Sequence, residues 1–246
     1  MADQTDPVAA RTVEVPTPDG AMLLYEAAPG TGRNRRGVIV IQEAFGVNDH
    51  IEDVTRRFAA EGYLAVAPHL YHRTGGTTMP YDKFDEVIEH YGAMTDAGIL
   101  EDVDAARAHL HEAGITDERT GIVGFCMGGR ISFLVALRRR LSAAVTFYGG
   151  GIVTTRFEKM PALAPEVPGI TTPWLGLFGD LDEGIPIADV ERLRSLLAED
   201  STVDFEIVRY PDAAHGFHCD QRPAFHEASA RDGWRRTLDW LDTYLA

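Results

Sequence analysis

Residues 121–129, GIVGFCMGG, determine how the rest of this sequence is interpreted. An apolar segment, Gly121 to Phe125, runs into a G-x-C-x-G turn centred on Cys126, and a helical pattern follows. A tight strand-to-helix turn brings the positions two before and two after its central residue against backbone, so both must be small, as Gly124 and Gly128 are. The free N–H groups and dipole of the following helix favour a thiolate. The pattern predicts that Cys126 is a nucleophile; the alternative is a buried structural cysteine beside a glycine turn.

Short apolar segments alternate with amphipathic ones on either side of this turn. The apolar segments predict strands at Val38–Ile41, Leu64–Ala67, Gly121–Phe125, Ala143–Phe147, Trp174–Phe178 and Phe205–Tyr210. Between them apolar residues recur at helical spacing, as in Ile99, Val103, Ala106 and Leu110. Near the N-terminus, Thr17-Pro18-Asp19-Gly20 predicts the turn of a hairpin. We expect one α/β domain over residues 1–246, with a mostly parallel sheet, an N-terminal antiparallel hairpin and helices on both faces.

Two later loops supply partners for the cysteine. Parallel sheets of this kind bind ligands where loops leave the carboxyl ends of their strands. In chains with such a turn, an acid and then a histidine follow the nucleophile. His215 comes after the last predicted strand and is the predicted general base, with a carboxylate on its second nitrogen to fix the tautomer. After the preceding strand, Asp180 and Asp182 are both candidates for that carboxylate.

An anion-stabilising pair of amides is expected beside the nucleophile. One donor is the N–H of the residue after it, Met127, and the second comes from the loop after an early strand, Gln42–Gly46. We choose Ala44 for the second donor. Glu43 follows directly after a strand that is predicted to be buried, and a buried carboxylate costs free energy unless it has a partner. The alternative is that Glu43 is an ordinary acid on the surface.

Composition excludes several classes of protein. The chain has 246 residues, 45% of them hydrophobic, and 23 Lys and Arg against 38 Asp and Glu give a formal net charge of −15. That charge repels phosphate backbones and anionic membranes, and no apolar run approaches the roughly 20 residues of a membrane-spanning helix. The opening MADQTDPVAA has no features of a secretory signal or transit peptide. We expect a cytoplasmic protein that binds neither nucleic acid nor membrane.

Cysteine and histidine usage bears on cofactors. Cys126 and Cys219 are too few for a disulfide scaffold. Among nine histidines there are two closely spaced pairs, His69 with His72 and His215 with His218. Neither pair has a supporting carboxylate or a HExxH arrangement, so we expect no metal ion and no other cofactor.

Five stretches resemble the dienelactone hydrolase family of α/β-hydrolases, the carboxymethylenebutenolidases. They are Ile41–Gly46, Ala60–Tyr63, Ala67–Tyr71, Gly121–Gly129 and Ala214–Phe217. A cysteine in the strand-to-helix turn combined with the early glutamate is specific, since most related hydrolases use serine and lack that glutamate. The resemblance implies an α/β-hydrolase fold and a triad of Cys126, His215 and Asp182. It favours Asp182 over Asp180 because Ile185-Pro186 follows at the family's spacing.

The resemblance also implies a mechanism. Glu43 would contact the resting thiol and help to form the thiolate when substrate enters. Attack would give a tetrahedral intermediate held by the amides of Ala44 and Met127, then an acyl-thioester hydrolysed by water. The expected activity is hydrolysis of small lactones or esters.

Two departures from the family bear on the substrate. The family holds a substrate carboxylate with two arginines, but residues 81–90 contain none, and Cys219 occupies the second position, four residues after His215. Arg73 or Arg222 would have to substitute. Together with the net charge of −15, these departures favour a neutral lactone or ester. The residues expected to contact substrate are Phe45, Arg73, Tyr91, Tyr148 and Phe217.

Other functions remain open on the sequence alone. One is a general carboxylesterase or thioesterase that acts on bulkier esters. Another is a non-catalytic, redox-sensing protein in which Cys126 reacts with oxidants or forms a transient disulfide with Cys219. We expect a small-molecule substrate and a monomer or homodimer.

Overall fold

The structure, a computed structural model, describes residues 8–30, 36–76 and 78–245. The first seven residues of the MADQTDPVAA segment lie outside this description. The strands are β1 (Ala9–Thr17), β2 (Gly20–Ala28), β3 (Gly37–Ile41), β4 (Leu64–Pro68), β5 (Thr120–Phe125), β6 (Ala143–Phe147), β7 (Trp174–Gly179) and β8 (Phe205–Tyr210). The α-helices are α1 (Asp49–Ala60), α2 (Phe84–Ala93), α3 (Asp96–Glu112), α4 (Met127–Arg138), α5 (Ile187–Asp200) and α6 (Glu227–Tyr244).

All these strands belong to one sheet, in the order β1-β2-β4-β3-β5-β6-β7-β8. β1 pairs antiparallel with β2, and β2 antiparallel with β4. The other neighbours pair in parallel. The expected mostly parallel sheet with an N-terminal antiparallel hairpin is therefore confirmed. Backbone pairing in the hairpin continues from Thr17 and Gly20 at the predicted turn out to Ala9 and Ala28.

Helices cover both faces of the sheet. Val38 in β3 pairs with Gly121 in β5, so Gly37 and Gly121 point to opposite faces. A Cβ placed on Gly37 would lie 3.0 Å from Leu110 of α3. A Cβ on Gly121 would lie 2.5 Å from Leu241 of α6. Helices α3 and α6 thus pack on opposite faces, as the sequence predicts.

The arrangement of the parallel strands positions the site. β3, β4, β5, β7 and β8 run in the same direction, so the loops that follow them leave from one edge of the sheet. These loops carry Glu43, Tyr71, Cys126, Asp182 and His215. None of the helices in the described ranges has the length and apolarity to cross a bilayer.

Candidate active site

Cys126 lies between β5 and α4 in a conformation that few residues adopt. Its φ is 55° and its ψ is −114°, values that cost free energy for a residue with a side chain. A Cβ on Gly124 would lie 1.8 Å from the carbonyl oxygen of Gly128, and one on Gly128 would lie 2.4 Å from that of Ile41. Because these neighbours are backbone atoms, neither position accepts a side chain without a shift of the turn. The packing holds the half-buried thiol at the first turn of α4.

The loops after β7 and β8 bring an imidazole and a carboxylate into line with the sulfur. Nε2 of His215 lies 3.1 Å from Sγ of Cys126. Its other nitrogen, Nδ1, lies 2.6 Å from Oδ2 of Asp182. The second oxygen of this buried carboxylate accepts the backbone N–H of Gly184 at 2.9 Å, which fixes its orientation. Sulfur, imidazole and carboxylate form a continuous line of contacts.

Asp180 has a different partner. Its two carboxylate oxygens accept from Nε and Nη2 of Arg209 at 2.7 and 2.8 Å. The carboxylate beside His215 is therefore that of Asp182, two residues further along the same loop.

The surroundings of His215 raise its pKa to about 10. Burial alone would lower this pKa, because it disfavours the charged ring. The sulfur of Cys126 and the carboxylate of Asp182 outweigh burial, since both accept hydrogen bonds from the imidazolium and attract its charge. The imidazolium is thus the favoured form of this ring at neutral pH. Such a ring carries a proton on Nε2 that is available for donation.

Glu43 is completely buried at the end of β3. Its Oε1 accepts from the hydroxyl of Tyr148 at 3.3 Å and from Nη1 of Arg222 at 3.4 Å. Its Oε2 has no hydrogen-bond partner among the described residues. The carboxylate therefore has the compensating partner that its burial requires, together with one oxygen still able to accept a proton.

Arg222 is held by aromatic rings as well as by the carboxylate. Its guanidinium lies 5.4 Å from the ring centroid of Phe45 and 5.5 Å from that of Tyr81, within the range of a cation–π interaction. A Cβ on Gly216 would lie 2.5 Å from Nη1 of Arg222, so the glycine after the histidine leaves room for the guanidinium. The charge of Glu43 raises the pKa of Arg222 against the lowering effect of burial.

Two backbone amides are available beside the sulfur. Met127 is the first residue of α4, so its N–H has no acceptor within the helix. Ala44 lies in the turn after β3, and its N–H donates to no acceptor in the described part of the chain. The structure thus leaves the amides that the sequence singled out without competing acceptors.

Cys126 and His215 open onto a cavity of about 560 Å³. Its lining is largely apolar and consists of Ala44, Val87, Ile88, Tyr91, Cys126, Arg156, Phe157, Leu181, Asp182, Glu183, Gly184, Ala214 and His215. Two apolar residues at its mouth are exposed, Ile88 at 43% and Leu181 at 59%. An adjoining cavity of about 310 Å³ shares three lining residues with it, Arg156, Glu183 and Gly184. A small organic molecule with apolar groups therefore fits against the sulfur.

Comparison with known proteins identifies the family. The model of the "Dienelactone hydrolase family" matches residues 23–245. A "Putative carboxymethylenebutenolidase" of Methylorubrum extorquens is 38% identical over 99% of this chain and 84% of its own length. An Escherichia coli K12 protein with the same name is 38% identical over 97% of this chain and 89% of its own. The chain belongs to the dienelactone hydrolase family. A crystal structure of a "Putative Dienelactone Hydrolase" from Klebsiella pneumoniae superposes with a TM-score of 0.90 at 37% identity, covering 97% of this chain and all of the other.

This dienelactone hydrolase family member is a hydrolase of the kind that acts on carboxylic esters or lactones. Its α/β-hydrolase fold also recurs in a solved esterase from Thermogutta terrifontis, with a TM-score of 0.72 at 16% identity.

Arg73 does not lie at the active site of this family member. Its guanidinium binds the carboxylates of Asp19, Glu101 and Asp102, and it lines a separate cavity that does not contain Cys126. The prediction that Arg73 contacts substrate is wrong, because these three carboxylates already hold its charge.

Three of the residues predicted to contact substrate are buried behind the residues that line the cavity. Phe45 and Tyr148 are buried at 4% and 0% exposure and touch the Arg222–Glu43 pair. Phe217 is fully buried against the rings of Tyr148 and Tyr210. Their side chains are therefore not among the residues that line the cavity, whereas Tyr91 is.

Arg156 is a lining residue that the sequence analysis missed. Its Nη2 donates to the carbonyl oxygen of Gly184, and a Cβ on Gly150 would fall 2.3 Å from its guanidinium carbon. It forms no ion pair within the described ranges. The only sequence signal is the glycine run at 149–151, which gives space to a side chain several residues later.

The remaining histidines and the second cysteine have other surroundings. His72 binds the carboxylate of Asp102 at 3.0 Å, and burial lowers the pKa values of His69 and His218. Within the described ranges, no cluster of three or more His, Cys, Asp or Glu side chains has a metal-binding arrangement. Cys219 is buried, and its Sγ lies 3.3 Å from the hydroxyl of Tyr81.

Proposed function

We propose that this chain is a cysteine-dependent hydrolase of small lactones or esters, with Cys126 as nucleophile, His215 as the proton-transfer group and Asp182 as its orienting acid. The observation that carries the proposal is the line of contacts from Sγ through the imidazole to the carboxylate, on the wall of a cavity with room for a small organic molecule. Geometry of this kind defines nucleophilic catalysis independently of sequence order.

Acylation begins with attack of the thiolate on the carbonyl carbon. The carbonyl oxygen becomes an oxyanion that accepts from the amides of Ala44 and Met127. When the tetrahedral intermediate collapses, the carbon–oxygen bond to the leaving alkoxide breaks and Nε2 of His215 gives that alkoxide its proton. The enzyme is left as an acyl-thioester with a neutral imidazole. In a lactone the alcohol stays attached to the acyl group.

Deacylation reverses the roles of the groups. Neutral His215 removes a proton from water, and the resulting hydroxide adds to the thioester carbonyl. The carbon–sulfur bond breaks, the carboxylic acid leaves, and the thiolate–imidazolium pair is restored. The carboxylate of Asp182 keeps Nδ1 protonated throughout, so that Nε2 alone faces the reaction.

Glu43 acts before attack in this proposal. The family resemblance gives it the role of accepting the thiol proton as substrate enters, and its unpartnered Oε2 in a buried position supports that role. When the product leaves, Glu43 returns this proton to the thiolate, which restores the resting thiol and closes the cycle. Arg222 and Tyr148 hold the other oxygen, so the carboxylate remains oriented while its charge changes.

The cavity limits the substrate. Its lining is mostly apolar, and the guanidinium of Arg222 is paired with Glu43 instead of lining it. Neutral esters and lactones with a small acyl group fit this lining. The exposed side chain of Arg156 adds a positive charge to the lining. A thiol nucleophile is lost on oxidation, so the proposal places the enzyme in the reducing cytoplasm.

A general carboxylesterase or thioesterase is the second candidate. The exposed Ile88 and Leu181 at the mouth favour it, because a longer acyl chain would cover them. A redox-sensing role for Cys219 has less support. Burial and the nearby Glu43 raise the pKa of its thiol to about 11, which leaves little thiolate to react.

The test is turnover of p-nitrophenyl acetate and of a small unsaturated lactone by wild type, Cys126→Ala and Cys219→Ser. We expect Cys126→Ala to lose turnover of both substrates and Cys219→Ser to keep it. Rapid-quench mass spectrometry of the wild type should show one acetyl group on the peptide that contains Cys126. Equal rates in wild type and Cys126→Ala would overturn the proposal, whereas loss only in Cys219→Ser would favour the redox function. Extending the esters from acetyl to octanoyl separates the small-substrate enzyme from the general esterase.

A further inference from the structure

One buried phenol contacts both residues whose amides face the reacting carbonyl. Tyr71 follows β4, and its hydroxyl donates to the carbonyl oxygen of Ala44 at 2.9 Å. The hydroxyl oxygen of Tyr71 also lies 3.4 Å from the thioether sulfur of Met127. Both the carbonyl oxygen and the thioether sulfur can only accept from the hydroxyl, and the carbonyl is the stronger and nearer acceptor, so the hydroxyl hydrogen is directed to Ala44. Neither the Cys126–His215–Asp182 line nor the Glu43–Arg222 pair includes this residue.

The phenol is fixed in place and stays protonated. Tyr71 is 1% exposed, and burial raises its pKa well above the ordinary tyrosine value. Its ring packs on His90 of α2 with centroids 5.4 Å apart, and Nδ1 of His90 in turn contacts Thr74 at 2.8 Å. The hydroxyl is therefore protonated and able to donate at neutral pH.

The contact with Ala44 completes a set of restraints on one loop. The carbonyl of Glu43 accepts from the N–H of Gly46 at 3.3 Å, and that of Phe45 accepts from the N–H of Met79 at 2.9 Å. The carbonyl between them accepts from Tyr71. Three successive carbonyls are held in this way, which fixes the peptide planes between them. Of these three hydrogen bonds in the described part of the loop, two have backbone donors and the one to the Ala44 carbonyl has a side-chain donor. A point substitution can therefore remove the hydrogen bond to Ala44.

We propose that Tyr71 is a positioning residue for the oxyanion hole, acting through the backbone of Ala44 and the side chain of Met127. The inference rests on the proposed function, because it presumes a tetrahedral oxyanion at these amides. Rotation of the Ala44 peptide would turn its N–H away from that oxyanion, and donors misaimed by a few tenths of an ångström lose much of their effect on the transition state. The ground-state carbonyl carries less charge and depends less on the same donors.

The test compares reactions of Cys126 with and without an oxyanion. Tyr71→Phe keeps the ring and removes the donor. We expect kcat for p-nitrophenyl acetate to fall about tenfold or more, with KM within about twofold, since complete loss of one such donor costs about 10²–10³. Alkylation of Cys126 by iodoacetamide builds no charge on a carbonyl oxygen, so its rate should stay within about twofold of wild type. A short-chain aldehyde, which forms a tetrahedral adduct, should bind more weakly by a factor similar to the fall in kcat.

Tyr63→Phe is the matched control. Tyr63 is equally buried at 1% exposure, and its hydroxyl contacts Asp242 at 3.2 Å, away from the cavity. It should leave kcat unchanged. All rates are expressed per alkylatable Cys126, so that unfolded protein does not count. If Tyr71→Phe does not fold, His90→Ala removes the ring that packs on Tyr71 from a partly exposed position, and kcat should fall about threefold with alkylation unchanged.

The outcomes separate this inference from the proposed function. Full kcat in Tyr71→Phe, or in His90→Ala where only that variant folds, overturns the positioning role while leaving a Cys126-dependent hydrolase. Alkylation slowed in parallel with kcat also overturns it, because a general structural defect would affect both reactions. Turnover that survives in Cys126→Ala overturns the proposed function itself.

Discussion

The two aspartates of the loop after β7 allow a matched pair of substitutions. Asp182→Asn replaces the carboxylate on Nδ1 of His215 by an amide of the same size. Asp180→Asn makes the same change two residues earlier, where the carboxylate binds Arg209 instead. Both variants lose one negative charge from one loop, and the two side chains differ in their partner and in their burial.

The expected magnitude follows from the partners. Asp182 makes a 2.6 Å contact to the ring and is 5% exposed, and a hydrogen bond to a charged group contributes about 1.5–3 kcal/mol. At about 1.4 kcal/mol per tenfold, that loss alone slows the reaction roughly 10- to 150-fold. An amide that presents its NH₂ to Nδ1 also selects the wrong tautomer, which extends the expected loss in kcat/KM to about 10²–10⁴. Asp180→Asn breaks a partly exposed ion pair of about 1 kcal/mol or less and should keep activity within about twofold.

Two measurements check this expectation. Steady-state hydrolysis of p-nitrophenyl acetate gives kcat/KM for wild type and both variants. A ¹³C-histidine NMR titration follows the pKa of His215, which we expect near 10 in the wild type and lower in Asp182→Asn, because the carboxylate favours the charged ring. Equal losses of activity in the two variants, or a larger loss in Asp180→Asn, would refute the assignment of the orienting acid.

Stability should depend on pH through the same ring. The folded-state pKa of His215 lies above its ordinary value of 6.5, so the protonated ring stabilises the folded state. This contribution is complete below pH 6.5 and is lost as the pH rises toward about 10. Urea unfolding midpoints should therefore fall over this range in wild type, and the fall should be smaller in Asp182→Asn.

Three further substitutions test other parts of the site. Arg222→Met leaves the buried Glu43 without its cation, so the free energy of unfolding should drop by about 2 kcal/mol and turnover by tenfold or more; unchanged urea midpoints would contradict the pairing. Gly124→Ala places a Cβ 1.8 Å from a backbone oxygen, which should cost about 1–3 kcal/mol or more and abolish turnover, whereas Gly169→Ala, with nothing within 4 Å, should keep both Tm and activity. Arg156→Ala should lower kcat/KM for p-nitrophenyl hydrogen glutarate about fivefold, as expected for one exposed charge-assisted contact, and leave the neutral butyrate unchanged; equal effects on both esters would show that the guanidinium does not face the acyl group.

The fold and the alignment of Cys126, Asp182 and His215 could be predicted because their signals are local. The glycines at 124 and 128 are required by backbone contacts within a single turn, and the apolar strands record burial on both faces of a parallel sheet. Cys126, Asp182 and His215 follow parallel strands, and the loops after parallel strands leave the sheet at one edge, so the three residues could be expected to lie close together. Asp182 and Asp180 could not be separated by composition, because the two side chains differ only in which way the loop turns them.

The wall of the cavity could not be predicted for a related reason. Aromatic residues near strand ends are equally suited to lining a cavity and to packing behind it, and Phe45, Tyr148 and Phe217 do the latter. Arg73 and Arg156 are both arginines in loops, yet the first meets three carboxylates and the second a backbone carbonyl. Their roles depend on neighbours far away in the sequence.

The Arg222–Glu43 pair extends this reasoning to the substrate. The two residues are 179 positions apart, so spacing carries no information about their contact. The arginine stands three residues beyond Cys219, which occupies the position where the family resemblance places a substrate-binding arginine. The guanidinium of Arg222 is directed to the buried carboxylate between two aromatic rings, outside the cavity lining. The guanidinium of Arg222 is thus already paired with the carboxylate of Glu43. Binding a substrate carboxylate as well would weaken that pair. The pairing of Arg222 with Glu43 thus supports the neutral-substrate proposal in addition to the net charge.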